Sequence, residues 1–245
     1  MASQKRWLVT SDKFLSLDQI DRLKAHLLSQ RDLAIARGTD QGIRDHYALL
    51  TLLESGLRVF EFVALQNRDF GGQKLVVRNG KGRKPRTVLL TKGTSNLLRE
   101  WASVKVQLGH SPEPEAPLFP SRYGTTYTTR GMQLRVKLIF KQLGLPVNLS
   151  VHSLRHTYCS LLLSSGKVSL ATVKENLGHH SIAVTNLYAH AVGDLSGIEL
   201  YPAPTSEKAE FPEVPTTTSK KKPKNIVEAF LSNVKFEKGS RKNED

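Results

Sequence analysis

Val151–His190 reads VHSLRHTYCSLLLSSGKVSLATVKENLGHHSIAVTNLYAH. Apolar residues recur at helical spacing, and Gly166 and Gly178 divide the stretch into three helices. These are expected at about 151–164, 170–177 and 182–189. His152 and Arg155 stand three apart, Leu177-Gly178-His179 follows, and Tyr188 comes nine residues after His179. Two cations three apart on a helix share a face and can grip one phosphate. A tyrosine on a following helix can present its hydroxyl to the same point. The expectation is a phosphodiester held by cations and attacked by a tyrosine.

Upstream, the pattern is mostly helical. Ser16 followed by Gln19 is a capping-box signal, and Leu17, Ile20, Leu23, Leu27 and Leu28 form an apolar stripe ending near Gly38. A second helix is expected from about 40 to 55, with Ile43, Tyr47, Leu50 and Leu53 inward and Gly56 as its stop, and a short one over 58–65. Lys74–Arg78 and Arg86–Leu90 read as strands joined at Asn79-Gly80, with Lys81, Arg83 and Lys84 in the loop. Helices over 94–108 (Leu97, Leu98, Trp101 and Val104 on one side) and 129–143 flank a Pro-rich linker and the extended LFPS segment. The fold class is therefore α+β, mostly α-helical, with a small antiparallel β-sheet. Residues 1–15 are expected to be an extended leader, 16–200 the folded domain, and 201–245 a Pro/Lys-rich disordered tail. Within that tail Ile226, Val227, Phe230, Leu231 and Val234 give a short helical stripe over about 225–236, too short to stand alone in water.

The formal charge is +14. Residues 201–245 hold nine Lys/Arg against seven Asp/Glu, so +12 belongs to residues 1–200. A folded body this basic calls for a polyanion, with nucleic acid the first candidate. The single cysteine, Cys159, supports neither a disulfide framework nor a zinc site and reads as a small core residue. No apolar run is long enough for a membrane span, and the N-terminus lacks a signal-peptide core. The expected setting is cytoplasmic and nucleoid-associated.

SGLRVFE (55–61), GKGRKPR (80–86), VHSLRH (151–156), LGHHS (177–181) and LYAH (187–190) occur in this order. Together they resemble the catalytic domain of the tyrosine recombinases, or phage integrases, over roughly residues 12–192. LFPS and KQLGL also look like that family. The resemblance implies a catalytic set of Arg58, Lys81, His152, Arg155, His179 and the nucleophile Tyr188. Arg58 and Arg155 would offer permanently charged donors to the non-bridging oxygens. Glu61, one turn after Arg58, could orient its guanidinium. His152 could bind the phosphate or help move the tyrosine proton. Lys81 would protonate the departing 5′ oxygen, with a phosphate contact as its other reading and Lys84 as the alternative acid. Arg83, Lys84 and Arg86 would contact DNA. His156, His180 and His190 are assigned packing or hydrogen-bonding roles.

The implied reaction makes a 3′-phosphotyrosyl link and needs no metal, ATP or other cofactor. The family acts as a tetramer on paired duplexes, so the implied partners are double-stranded DNA and three further copies. About fifteen residues precede the first helix, where the family usually has a domain clamping the opposite face of the DNA. The expectation is that a second DNA-binding protein, the basic body or the Lys-rich tail (Lys220, Lys221, Lys222, Lys224) takes its place. Phe60 stands where the family more often has a small polar residue, which predicts different packing near Arg58. Two other readings stay open: a type IB topoisomerase, with the same chemistry on one duplex, and a DNA-binding accessory factor without catalysis.

Overall fold

The computed structural model describes residues 13–78, 85–165 and 168–178. Helix α1 (Leu17–Ala36) begins with the expected capping box: Gln19 N donates to Ser16 Oγ (3.2 Å) and Ser16 N to Gln19 Oε1 (3.0 Å). Its buried face is narrower than expected. Ile20, Leu23, Leu27 and Ala34 point inward, whereas Leu17 and Leu28 are exposed. Leu28 lies about 100° round the helix from Leu27, which takes it off the packed stripe.

Helix α2 (Gln41–Ser55) is the central element, buried from Ile43 to Ser55 and packed against α1 and two later helices. Burial all round forces its charged groups to find partners. Asp45 accepts from Arg135 Nε at 2.8 Å, Arg44 pairs with Asp40, and Glu54 lies 3.2 Å from Lys24 Nζ. Gly56 ends the helix at φ 62. A Cβ at Gly56 would lie 2.7 Å from Tyr158 Cε1 and 2.8 Å from Leu177 Cδ2, so only glycine lets these elements approach.

Arg58 is the N-cap of the short helix α3 (Val59–Val63). A three-stranded antiparallel sheet follows, in the order β1 (Phe70–Gly71), β2 (Lys74–Val77), β3 (Arg86–Leu89). Lys74 pairs with Leu89 and Val77 with Arg86. The two longer strands match the sequence reading to within a residue; β1, only two residues long, offers no alternation to read. Leu75, Val77 and Val88 supply the buried face.

Helix α4 (Lys92–Gln107) starts two residues before the expected Thr94, because Thr91 Oγ1 caps it by accepting from Thr94 N at 3.1 Å. Its Trp101 is buried, donates to the Leu118 carbonyl (2.7 Å) and stacks on Phe119. Buried Lys105 donates to Asn67 Oδ1 and the Pro117 carbonyl, tying the Pro-rich linker down. Helices α5 (Thr129–Gln142), α6 (Val151–Ser164) and α7 (Leu170–Leu177) complete the described chain. One large apolar cluster runs from Leu15 to Leu161 through α1–α6 and the sheet. A second, small cluster of Tyr158, Cys159, Val173 and Leu177 joins α6 to α7, so Cys159 is the core residue expected. Among the described residues no helix is long and apolar enough to cross a membrane.

Candidate active site

The α2–α3 corner and β3 meet at one buried carboxylate, Glu61, and the end of α7 is tied to it through Arg86. Its Oε1 accepts from Arg58 Nη1 (3.1 Å) and Arg86 Nη1 (2.6 Å). Its Oε2 accepts from the Arg58 backbone N–H (2.8 Å) and Arg86 Nη2 (2.9 Å). Burial alone would raise the Glu61 pKa, but the hydrogen bonds from Arg86 and Arg58 and their two charges outweigh it. The carboxyl is held below its ordinary range. Glu61 orients Arg58, as the spacing suggested, and it also binds Arg86 bidentately.

Arg155 sits on α6 with only 7 % of its surface exposed. Its Nη2 donates to the Leu177 carbonyl at 2.6 Å and its Nη1 to the Gly56 carbonyl. Arg86 Nε donates to the neighbouring Asn176 carbonyl at 3.2 Å. Two arginines thus hold carbonyls at the C-terminal end of α7, the negative end of its dipole. Gly178 follows in the left-handed region at φ 62, and a Cβ there would lie 3.0 Å from Arg86 Cδ and Nε. The glycine of the LGH tripeptide is therefore required by both its backbone and its neighbour.

Asn176 fastens α7 to the sheet. Its Oδ1 accepts from Leu89 N (2.8 Å), and its Nδ2 donates to the Leu89 carbonyl (3.0 Å) and to Tyr158 Oη (3.0 Å). Sequence reasoning missed Asn176 and the Arg86–Glu61 pair. The available signal was a polar residue in the apolar stripe of α7, between Val173 and Leu177.

The expected site residues fall into three groups. Arg58, Arg86 and Arg155 come together around Glu61, Gly56 and the end of α7, with the Arg58 side chain 19 % exposed and that of Arg86 13 %. His152 is exposed in the first turn of α6, one turn before Arg155. Lys81, Arg83, Lys84, His179 and Tyr188 lie outside the described residues, as do His180, His190, the expected helix over 182–189 and the tail with its stripe. His156 is half-buried, and burial, then His152, Arg155 and Lys13, lower its pKa to about 4.

The described tyrosines are poor nucleophile candidates. Tyr47 is buried with its hydroxyl donating to Glu100 Oε1 (2.6 Å). Tyr158 lies against Gly56 and Leu177, but burial pushes its hydroxyl up to about 12. Tyr127 packs on the main core, and Tyr123 stands exposed beneath the Arg122 guanidinium.

The sequence pattern of the phage integrase family matches residues 13–193. A tyrosine recombinase XerC from Chlamydia caviae is 31% identical over 150 residues, covering 61% of this chain and 47% of that protein. The chain spans about half the length of the curated relatives it matches. Among solved structures, the crystal structure of XerA recombinase aligns with a TM-score of 0.59 at 24% identity, covering 74% of this chain and 61% of that one. XerH site-specific recombinase bound to palindromic difH substrate, in a post-cleavage complex, aligns at 0.56 and 25% identity, covering 75% and 50%.

Proposed function

The chain belongs to the phage integrase family, and from that premise we propose that it is a site-specific DNA recombinase, cleaving and rejoining strands through Tyr188. The observation that carries this reading is the convergence of Arg58 and Arg155 on the α2–α3 corner and the carbonyl end of α7. Motifs a hundred residues apart in sequence become one cationic cluster, from which the chain runs directly into His179. The relatives support DNA as the partner, since the matched XerH is bound to its difH substrate after cleavage.

In this reading the Tyr188 phenol oxygen attacks the phosphorus of a phosphodiester. The bond to the 5′ oxygen breaks, leaving a 3′-phosphotyrosyl link. Lys81 delivers the proton that the departing 5′ oxygen needs. Arg58 and Arg155 take up the charge that builds on the non-bridging oxygens. His152 and His179 donate to the same phosphate or shuttle the phenol proton. A free 5′ hydroxyl from the same or another duplex then reverses the step, and the bond energy is kept throughout. Tight fixing of the arginines suits this chemistry, because donors already in place need no reorganisation as charge develops. The working assembly is a tetramer on paired sites. Arg83 and Lys84 bind the DNA backbone, and a second DNA-binding element supplies part of the site recognition.

The test is a covalent adduct. The protein is incubated with a pool of nicked duplexes of randomised sequence, and the bound strands are resolved under denaturing conditions. A protein–DNA adduct is expected that is lost in Tyr188→Phe. An adduct that survives in the phenylalanine variant would overturn the nucleophile assignment, and no adduct with any duplex would overturn the strand-cleavage reading. Joining of strands from two different duplexes is the further result expected of a recombinase.

A further inference from the structure

The sequence groups Arg86 with the loop cations that face DNA, but its surroundings point elsewhere. Nη1 and Nη2 each donate to Glu61, at 2.6 and 2.9 Å, and Nε donates to the Asn176 carbonyl, so the forked edge of the guanidinium faces the carboxylate and α7. Building on the strand-cleavage reading above, we infer that Arg86 is a positioning residue: it occupies Glu61 so that Arg58 stays at the surface, and it locks the carbonyl end of α7 to the same point.

The physical reason is competition for one buried carboxylate. Glu61 has no side-chain exposure, and two guanidinium groups reach it. Arg86 takes the planar, two-bond arrangement, which is the stronger one. Arg58 is left with a single side-chain bond at 3.1 Å. Removing Arg86 leaves a buried carboxylate short of two donors. Arg58 is then the cation in reach, and turning its guanidinium fully onto Glu61 satisfies the carboxylate at the expense of a phosphate. The α7 side of the cluster loosens at the same time. The Asn176 carbonyl loses its donor, and Gly178 loses the guanidinium it packs against. The backbone leading into His179 is then less well fixed.

Full-length Arg86→Gln and Arg86→Lys are compared with the unaltered chain below their melting temperatures, using a duplex recovered from the randomised pool. Two quantities are read: the dissociation constant as a function of salt, and the single-turnover rate of adduct formation at saturating protein. The positioning role predicts a Kd within about threefold and an unchanged salt slope, while adduct formation falls about 100-fold in Arg86→Gln. Lysine restores little, because one ammonium cannot span both oxygens of Glu61; a loss of about tenfold or more is expected, and this variant carries the test should the glutamine variant not fold. Because the effect runs through Glu61, Arg86→Gln added to Glu61→Gln should lower the rate by less than threefold more.

Two results overturn the inference. One is weaker binding with a salt slope reduced by about one and an unchanged rate at saturation, which marks Arg86 as a DNA contact. The other is an unchanged rate in both variants. Should the unaltered chain form no adduct, the strand-cleavage reading fails on its own, and the positioning role is read from hydrogen exchange. Arg86→Gln must then speed exchange of the Gly178 amide at least tenfold relative to amides of α2; equal exchange overturns the role.

Discussion

Two residues at the α2–α3 corner carry consequences that can be worked out from their surroundings alone. Glu54 is buried with Lys24 3.2 Å away and Thr94 Oγ1 donating to it at 3.1 Å. Burial dominates these helpers and raises its pKa to about 7. Between the ordinary value of 4.5 and about 7 the folded state binds more proton than the unfolded state. Stability from this group therefore falls as pH rises through that window, and the loss is complete above it. Glu54→Gln removes the slope. It is expected to gain about 2–3 kcal/mol relative to the unaltered chain on going from pH 5 to pH 8, measured as the difference in denaturant unfolding free energy at the two pH values. Its neighbour Gly56 allows no side chain. Gly56→Ala needs the left-handed region at φ 62 and places a methyl 2.8 Å from Leu177 Cδ2. A loss of about 2–4 kcal/mol is expected on thermal unfolding, well above the roughly 1 kcal/mol of an ordinary left-handed glycine.

At the scale of elements, the attachment of α7 to the sheet supplies the carbonyls that Arg86 and Arg155 hold. β3 is an edge strand of the sheet, and the Asn176 side chain serves Leu89 as a neighbouring strand would, accepting from its N–H and donating to its carbonyl. Asn176→Leu keeps the branched shape and deletes all three bonds. It should cost about 2–3 kcal/mol, because it leaves the Leu89 amide and the Tyr158 hydroxyl without this partner, and it should speed exchange of the Leu89 amide. An unfolding midpoint within error of the unaltered protein would rule this out. Helix positions were legible in the sequence because capping and apolar spacing are local: Ser16–Gln19, Gly38 and Gly56 marked true ends, and Glu61 announced itself one turn from Arg58. What was not legible depends on distance. β1 is too short to show a pattern, and Thr91 takes the capping role nearly two turns ahead of Leu97, where the apolar stripe of α4 begins. Arg86 reads as one more DNA-facing cation beside a basic loop, since a partner 25 residues back leaves no mark on its own neighbours in the chain. Arg155 could be placed in the site by its motif, but its grip on the Gly56 and Leu177 carbonyls could not.

For the molecule as a whole, the two apolar clusters set a hierarchy of stability. The large cluster ties α1–α6 and the sheet together around α2, so any opening of α2 exposes most of the core. Helix α7 is held differently. It contributes Val173 and Leu177 to the small cluster, and its remaining anchors are polar: the Asn176 pair and the two arginines on its last carbonyls. Net stabilisation from each such bond is about 1 kcal/mol, far less than global unfolding of a domain requires. α7 is therefore expected to open as a separate unit while α1–α6 stay folded. Native-state hydrogen exchange gives the check. Amides of Val173, Asn176 and Leu177 should exchange at least 100-fold faster than those of Leu49–Leu53, with a shallower dependence on denaturant because less surface is exposed. Each opening frees Arg86 and Arg155 from their α7 carbonyls and so removes the α7 side of the cluster. A phosphate gripped by that cluster must act in the opposite sense, since a ligand stabilises the state that binds it. Added duplex DNA should therefore slow exchange in α7 while leaving α2 unchanged. Equal protection of α2 and α7 without DNA would mean that the polar anchors make α7 part of the global unit.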